Sequence, residues 1–385
     1  VTTILTVKPP VPINLTFSPS TVMGGENGTG TVTLNGPAPA LGATVFLISM
    51  NSIAVVPDFV QVAGGQTVGS FEIVTQPTGT LTGVRIEASH GGGMRAGTLN
   101  VNRAVLSGLT INPTTVTGGN NASATVTLNG QAPLGGANVM VSTNNPVVTA
   151  PETVKIGSYQ TSRIFALQTA PVATSTNVIV TVSRAGLTRA AAMTVARPVL
   201  SSFSVAPRTL GGGETGQGLV TLTGPAPVGG ITIGVTRTGT VLSVPESMVV
   251  EEGSRTGTFE IGSSPVSVAT SGVVTVSYSG ASKSYTVGIQ PTTVRSIAAT
   301  PNTLLSGQTT SVNVTLSVVA PAGGANVALR SNSPYFVLPS AVLVPAGLTS
   351  KMLSVTAGLV GSSTTVTITA IRGGVTVTNT VTINP

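Results

Sequence analysis

The sequence predicts an all-β protein of four tandem seven-stranded β-sandwiches set end to end, with one spare strand at the N-terminus. Three observations carry this. A repeat of fixed period runs through the chain: Leu34, Leu128, Leu222 and Leu316 stand 94 residues apart, as do Pro19, Pro113, Pro207 and Pro301. Within each repeat, apolar and polar residues alternate over short stretches bounded by Gly, Pro, Asn and Ser, as half-buried strands require. No stretch holds a 3.6-residue apolar period for more than a turn or two.

The first repeat gives the elements in order. Leu15 and Phe17 mark a first strand, ended by Ser18-Pro19, and Gly24-Gly25 form a turn. Val32 and Leu34 mark the second strand, followed by Pro37-Ala38-Pro39 and Gly42, and Val45 and Leu47 mark the third. Pro57 precedes the fourth strand at Val60 and Val62, and Phe71 and Ile73 mark the fifth. Val84, Ile86 and Ala88 mark the sixth, the Gly91-Gly92-Gly93 tract is a hairpin turn, and Leu99 and Val101 mark the seventh. Seven such strands in one period read as an immunoglobulin-like sandwich. The chain has no Cys and no Trp, so the antibody signature is absent and the pattern alone supports the fold. About a dozen large apolar side chains per repeat turn inward, each contributing about 1.5–3 kcal/mol on burial.

The period sets the boundaries: repeats at 11–104, 105–198, 199–292 and 293–385, after a segment at 1–10. Leu5 and Val7 are in phase with Leu99 and Val101, so 1–10 reads as the seventh strand of a preceding repeat. Two readings of it stay open. Either the chain is a piece of a longer array, or the strand is donated to a neighbouring subunit. Val1 opens without a charged-then-apolar leader, so a signal peptide is expected to have been removed or to lie outside this stretch. The junctions Arg103-Ala104-Val105, Arg197-Pro198-Val199 and Pro291-Thr292-Thr293 are too short for flexible tethers. The four sandwiches are therefore expected to form a semi-rigid rod on the order of 150 Å long.

Charged residues are 7% of the chain, against about 25% in ordinary globular proteins. The surface must then be mostly hydroxyl, amide and glycine, and such surfaces tolerate close lateral contact because little charge is desolvated. This composition suits an extracellular fibre or coat. The net charge of +7 is spread over all four repeats without aromatic-interleaved basic clusters, which argues against nucleic acid. No apolar run approaches the ~20 residues of a membrane helix.

Candidate chemistry is sparse. Gly211, Gly213 and Gly216 match G-x-G-x-x-G, but a strand rather than a helix follows, so this reads as a turn and not a dinucleotide loop. His90 is the only histidine and Asp58 the only aspartate. A Ser-His-Asp mechanism would rest on both, and they lie in different parts of the repeat pattern. The ten acids do not cluster, so a calcium site with its six to eight oxygen ligands is not expected. We expect no catalytic, cofactor-binding or metal-binding residues and no cofactor. Arg95, Arg189 and Lys283 share one repeat position, and Arg184 and Arg372 share another. This ladder could meet an anionic polysaccharide or could protect sheet edges from aggregation. Asn14, Asn27, Asn121 and Asn313 open glycosylation sequons.

Pro113-Thr114-Thr115-Val116-Thr117-Gly118-Gly119, with Gly218-Leu219-Val220-Thr221-Leu222-Thr223-Gly224-Pro225-Ala226-Pro227-Val228-Gly229-Gly230, resembles the tandem Ig-like (Big-type) repeats of large bacterial surface and secreted proteins. The resemblance covers all four copies, and Ser306 replaces the first Gly of the pair in the last. It implies a non-catalytic extracellular module: a spacer, stalk or adhesin segment. The expected role is a subunit or segment of a bacterial surface filament, sheath or stalk, with copies of the same chain as partners. The alternative is an adhesin or polysaccharide-binding array. It predicts one repeat with divergent aromatic loops, for which Tyr335-Phe336 is the nearest candidate.

Overall fold

In a computed structural model describing residues 8–385, every element is a strand or a turn. In repeat 1 the strands are β1 (Pro12–Ser18), β2 (Thr21–Met23), β3 (Gly28–Leu34), β4 (Ala43–Ser49), β5 (Ala54–Val55), β6 (Phe59–Val62), β7 (Val68–Thr75), β8 (Thr82–His90) and β9 (Gly93–Asn102). They form two sheets, in the orders β1-β3-β7-β5 and β2-β9-β8-β4-β6. This is the immunoglobulin-like arrangement, and repeats 2 and 3 reproduce it. The seven strands expected from alternation are all present. Two short ones join them: β2, paired parallel to β9, and β5, paired to β7. The predicted spare strand at Leu5 and Val7 lies outside the described residues, and residues 8–11 carry no strand.

The inward phase of each strand builds the core. Val32, Val45, Val62, Ile73, Val84, Ile86, Leu99 and Val101 are fully buried in repeat 1. Each of the four repeats encloses one such cluster. The chain also separates into two units, Val1–Ala196 and Arg197–Pro385, each holding two sandwiches.

Three local features recur. The β8–β9 hairpin turns on Gly91 and Gly92 at φ 60° and 82°, and its counterparts are Ala185-Gly186, Ser279-Gly280 and Gly373-Gly374, all with φ positive at both residues. That is the type I′ geometry that matches strand twist. A bulge interrupts the β1–β3 pairing between Pro12 and Asn14 and recurs in every repeat. A side chain after β3 then clamps the start of each repeat. Asn35 Oδ1 accepts the Val11 N–H at 2.8 Å, and Asn129 Oδ1 accepts that of Val105 at 2.7 Å. Thr223 does the same for Val199 and Ser317 for Thr293.

Repeat 4 departs in one place. Phe336 holds the position of Ala54, Val148 and Leu242, and it is wholly buried in the core. The short strand found there in the other repeats is absent, leaving a three-stranded sheet. Tyr335 is half-exposed. Tyr335-Phe336 is therefore not an aromatic binding loop, because Phe336 fills the core where smaller residues stand elsewhere.

Candidate binding face on the first repeat

The outward phase of the five-stranded sheet distinguishes repeat 1. β4 alternates Val45 and Leu47 inward with Phe46 and Ile48 outward. Phe46 lies opposite Phe59 of β6 on one side and Ser89 of β8 on the other. Ser89 in turn lies opposite Met94 of β9. One row across four strands therefore reads Phe59, Phe46, Ser89, Met94. Ile48 sits one pleat along β4, and Met50 follows the strand. Phe46 is 57% exposed and Phe59 53%. Such adjacency on one face follows from the period of two and the antiparallel register.

The same positions in the other repeats are small or polar, except Met140. Phe46 corresponds to Met140, Gly234 and Ala328; Phe59 to Thr153, Ser247 and Ala341; Met94 to Thr188, Ser282 and Thr376. Ile48 corresponds to Ser142, Thr236 and Arg330. Scattered exposed apolar residues are ordinary on protein surfaces, whereas a contiguous apolar patch marks an interaction site. Around the row stand Thr44, whose hydroxyl donates to Gln61 Oε1 at 2.9 Å, and the Arg85–Glu87 ion pair at 2.8 Å. An apolar centre with a polar rim is the usual anatomy of a protein interface.

His90 borders this face. With Phe46, Ser89, Met94 and the Gly91-Gly92-Gly93 turn it lines a shallow cleft of about 420 Å³. Its Nδ1 lies 2.8 Å from the Thr44 carbonyl, an acceptor only, so the proton sits on Nδ1. Asp58 is exposed and offers its backbone carbonyl to the Leu47 N–H at 2.9 Å. No described hydrogen bond joins His90 to Asp58. Gly211 and Gly213 flank a turn between two strands, and the Gly211 N–H donates to Glu214 Oε2 at 2.9 Å. Among the described residues, no three of His, Cys, Asp and Glu gather into a metal-binding group.

The four arginines of the basic ladder are engaged within the fold, and Lys283 is exposed. Arg95 Nε donates to the Ile13 carbonyl at 3.0 Å, and Arg189 Nε to the Ser107 carbonyl at 3.2 Å. Ile13 and Ser107 are the residues skipped at the β1–β3 bulge, so these arginines satisfy carbonyls that the sheet leaves unpaired. Arg184 Nη1 donates to the Ala104 carbonyl at 2.8 Å, and Arg372 Nε to the Thr292 carbonyl at 3.0 Å. Both residues reach back to the linker that begins their own repeat. Burial lowers the pKa of both, and Arg103 adds repulsion at Arg184. Both stay charged across the neutral range because arginine titrates so high.

No protein-family model matches this chain, and a search of curated proteins returns no match. Solved structures do. The chain is similar to the crystal structure of invasin, a bacterial integrin-binding protein, at 15% identity and TM-score 0.37, over 97% of this chain and 79% of that one. It is similar to the D0-D1 domain of intimin at 14% identity and TM-score 0.22, over 48% of this chain and 99% of that one. It is similar to the Yersinia pseudotuberculosis adhesin InvE at 14% identity and TM-score 0.28, over 47% of this chain and 58% of that one. At these scores the likenesses say nothing of what this chain binds. Among the described residues, no helix is long and apolar enough to cross a membrane.

The apolar row was readable in principle. Its signal is the phase opposite to Val45 and Leu47, compared across four repeats. A search for aromatic loops passes over it, because the row lies on strands.

Proposed function

We propose that the chain is a non-catalytic extracellular array of a bacterial surface, a stiff spacer that belongs to a filament, sheath or stalk. One observation carries this: the junctions inside each unit are held by fixed contacts. The Ala104 carbonyl is gripped by Arg184 and the neighbouring Val105 N–H by Asn129. The Thr292 carbonyl is gripped by Arg372 and the Thr293 N–H by Ser317. Linkers so anchored lose the freedom that would let adjacent sandwiches swing. The low charge supports placement outside the cell, where lateral packing is useful. Electron microscopy of the purified chain tests it: stiff rods of regular length support the reading, and flexible beads or compact globules refute it.

The Phe46–Phe59 face favours a second role on the same array, adhesion to a protein partner through repeat 1. Phe46→Asp with Phe59→Asp tests it in a screen against immobilised extracellular-matrix proteins. The adhesive role requires at least one hit that the double variant loses. A screen without hits, or hits that the variant keeps, rejects it.

A further inference from the structure

The loop between the Thr153–Ile156 and Ser162–Thr169 strands of repeat 2 carries a residue that its backbone disfavours. Tyr159 sits at φ 63°, and its counterparts Gly65, Gly253 and Gly347 sit at φ 80°, 74° and 78°. In the left-handed region a bulky side chain is a true outlier, whereas glycine enters without steric cost. A clasp common to all four repeats holds the loop in that shape. The Tyr159 N–H donates to the Ala132 carbonyl at 2.9 Å, and the Ala132 N–H donates to the Gln160 carbonyl at 2.9 Å. Gly65 with Ala38, Gly253 with Ala226 and Gly347 with Ala320 repeat the first of these bonds. The other repeats thus close the same loop with glycine, and the fold itself has no need of the tyrosine. Strain of this kind gathers at binding sites.

Tyr159 is 49% exposed and lines a cleft of about 570 Å³ with Gln131, Gln160 and Arg163, beside the hydroxyls of Thr161 and Ser162. Small-ligand sites occupy about 300–1,000 Å³. The clasp draws Gln131 to the tyrosine, because Gln131 precedes Ala132 in the chain. These residues set repeat 2 apart. Gln131 stands where the others have Pro37, Pro225 and Val319, and Arg163 where they have Gly69, Gly257 and Lys351. Among the described residues, no hydrogen bond or ion pair engages the side chains of Gln131, Tyr159, Gln160 or Arg163. The arginines of the ladder, by contrast, spend their donors on backbone carbonyls. The lining includes no carboxylate.

We propose that this cleft binds an acidic sugar residue of an anionic glycan. The exposed tyrosine ring offers an apolar surface to the C–H face of a pyranose. Gln131 and Gln160 each present an amide donor and a carbonyl acceptor, which match neighbouring sugar hydroxyls that both donate and accept. The Arg163 guanidinium pairs with a carboxylate or sulfate through its planar fork, with no acid in the lining to compete. A lining of hydroxyls and amides suits a polyhydroxylated ligand better than the apolar side chains of a peptide. The site goes beyond the structural reading and does not depend on it, since it works on a stiff or a jointed array.

The intact chain is titrated with short probes, because a chain of net charge +7 attracts any long polyanion. The acidic probes are tetragalacturonate, which carries carboxylates alone, and a sulfated heparin tetrasaccharide; which of them binds more tightly separates the two sources of negative charge. The methyl ester of tetragalacturonate is the uncharged counterpart, and tetraglutamate is the acidic peptide. The expected result is binding of at least one acidic tetrasaccharide, with a change in tyrosine emission, at least about fivefold tighter than the ester. Tyr159→Gly restores the residue of the other repeats. It should weaken that binding at least about tenfold while hydrogen exchange in repeat 2 stays the same or slows. Arg163→Gln should abolish the preference for the acidic probe over the ester. Arg330→Gln, which removes one exposed charge from repeat 4, should leave affinity within about twofold. The proposal is overturned if neither acidic probe binds, or if Tyr159→Gly binds like the parent. It is equally overturned if Arg330→Gln loses as much as Arg163→Gln, or if the ester or tetraglutamate binds as tightly as the acidic sugar.

Discussion

The four repeats solve one packing problem in three ways, and the solutions should not be interchangeable piecemeal. On the four-stranded sheet, Gly30 pairs with Phe71, Ala124 with Phe165, Gly218 with Phe259 and Val312 with Leu353. A large ring stands opposite a residue with little or no side chain, and a smaller leucine opposite valine. In repeat 3 a Cβ on Gly218 would lie 2.6 Å from Phe259 Cζ. In repeat 1 a Cβ on Gly30 falls inside the envelope of the Phe71 ring atoms Cζ, Cε1 and Cε2. Phe71 is buried, so its ring has no free space to swing into. Gly30→Val should therefore incur overpacking of about 1–3 kcal/mol, offset by up to about 1 kcal/mol of strand propensity. We expect a net loss near 2 kcal/mol. Phe71→Leu alone should lose about 1–2 kcal/mol from reduced burial and a partial cavity. The double variant reproduces the Val312–Leu353 pair and should lose only about 1 kcal/mol, a coupling of about 2–3 kcal/mol at the upper end of the usual range. Hydrogen exchange of the intact chain, read on peptides from β3 and β7, measures this with repeats 2–4 as internal controls. At about 1.4 kcal/mol per tenfold, Gly30→Val should speed exchange roughly thirtyfold. Unchanged exchange in Gly30→Val, or a double variant equal to the sum of the singles, would refute the reasoning.

Other substitutions probe the remaining devices. Ala185 sits at φ 51° in a type I′ turn. Ala185→Asn should stabilise repeat 2 by about 0.5–1 kcal/mol, seen as slower exchange across that hairpin. Arg95→Ala should cost about 1 kcal/mol by leaving the Ile13 carbonyl without its donor, and exchange should rise at β1 and not in repeat 2. Arg184→Ala should leave the core of repeat 2 protected while raising exchange at residues 103–106, and spin labels on repeats 1 and 2 should show a broader distance distribution. Arg184→Lys should restore little, because an ammonium cannot reproduce the guanidinium's reach and planar fork.

What the sequence made legible is what depends on short-range periodicity. Val45 and Leu47, or Ile86 and Ala88, betray a strand because inward and outward residues alternate over several positions. Gly91-Gly92 betrays a tight hairpin because two consecutive residues must take positive φ. A constant period places Pro19 and its three partners in step, and each of them follows a cis peptide bond. The rest needed contacts between residues far apart in the chain. β2 is three residues long and β5 two, too short for alternation to declare them. The partner of Arg95 is 82 residues away, and that of Arg184 is 80. Read as a line, those arginines form a positive ladder; in the fold their donors are turned onto backbone carbonyls. Phe336 misleads for a related reason. An aromatic in a loop looks like a binding residue until the position is matched to Ala54, Val148 and Leu242, all of them core.

The same matching separates framework from freedom. At inward positions the repeats exchange one apolar residue for another of compensating size, as Gly30–Phe71 against Val312–Leu353 illustrates. At outward positions of the β4–β6–β8–β9 face no packing partner imposes such a constraint, so the residues can become anything the surroundings tolerate. Repeats 2 to 4 mostly put hydroxyls, glycine and alanine there. Repeat 1 puts Phe46, Ile48, Phe59 and Met94, exposing apolar area that gives nothing to its own core. Water opposes such exposure, and a contiguous patch of it invites aggregation unless it is covered in use. Exposed apolar side chains occur in all four repeats, but on this face the row of Phe46, Phe59 and Met94 belongs to repeat 1. The position of the patch, flat on a rigid sheet, then matters more than its size, because a partner docking there need order no loop to bind.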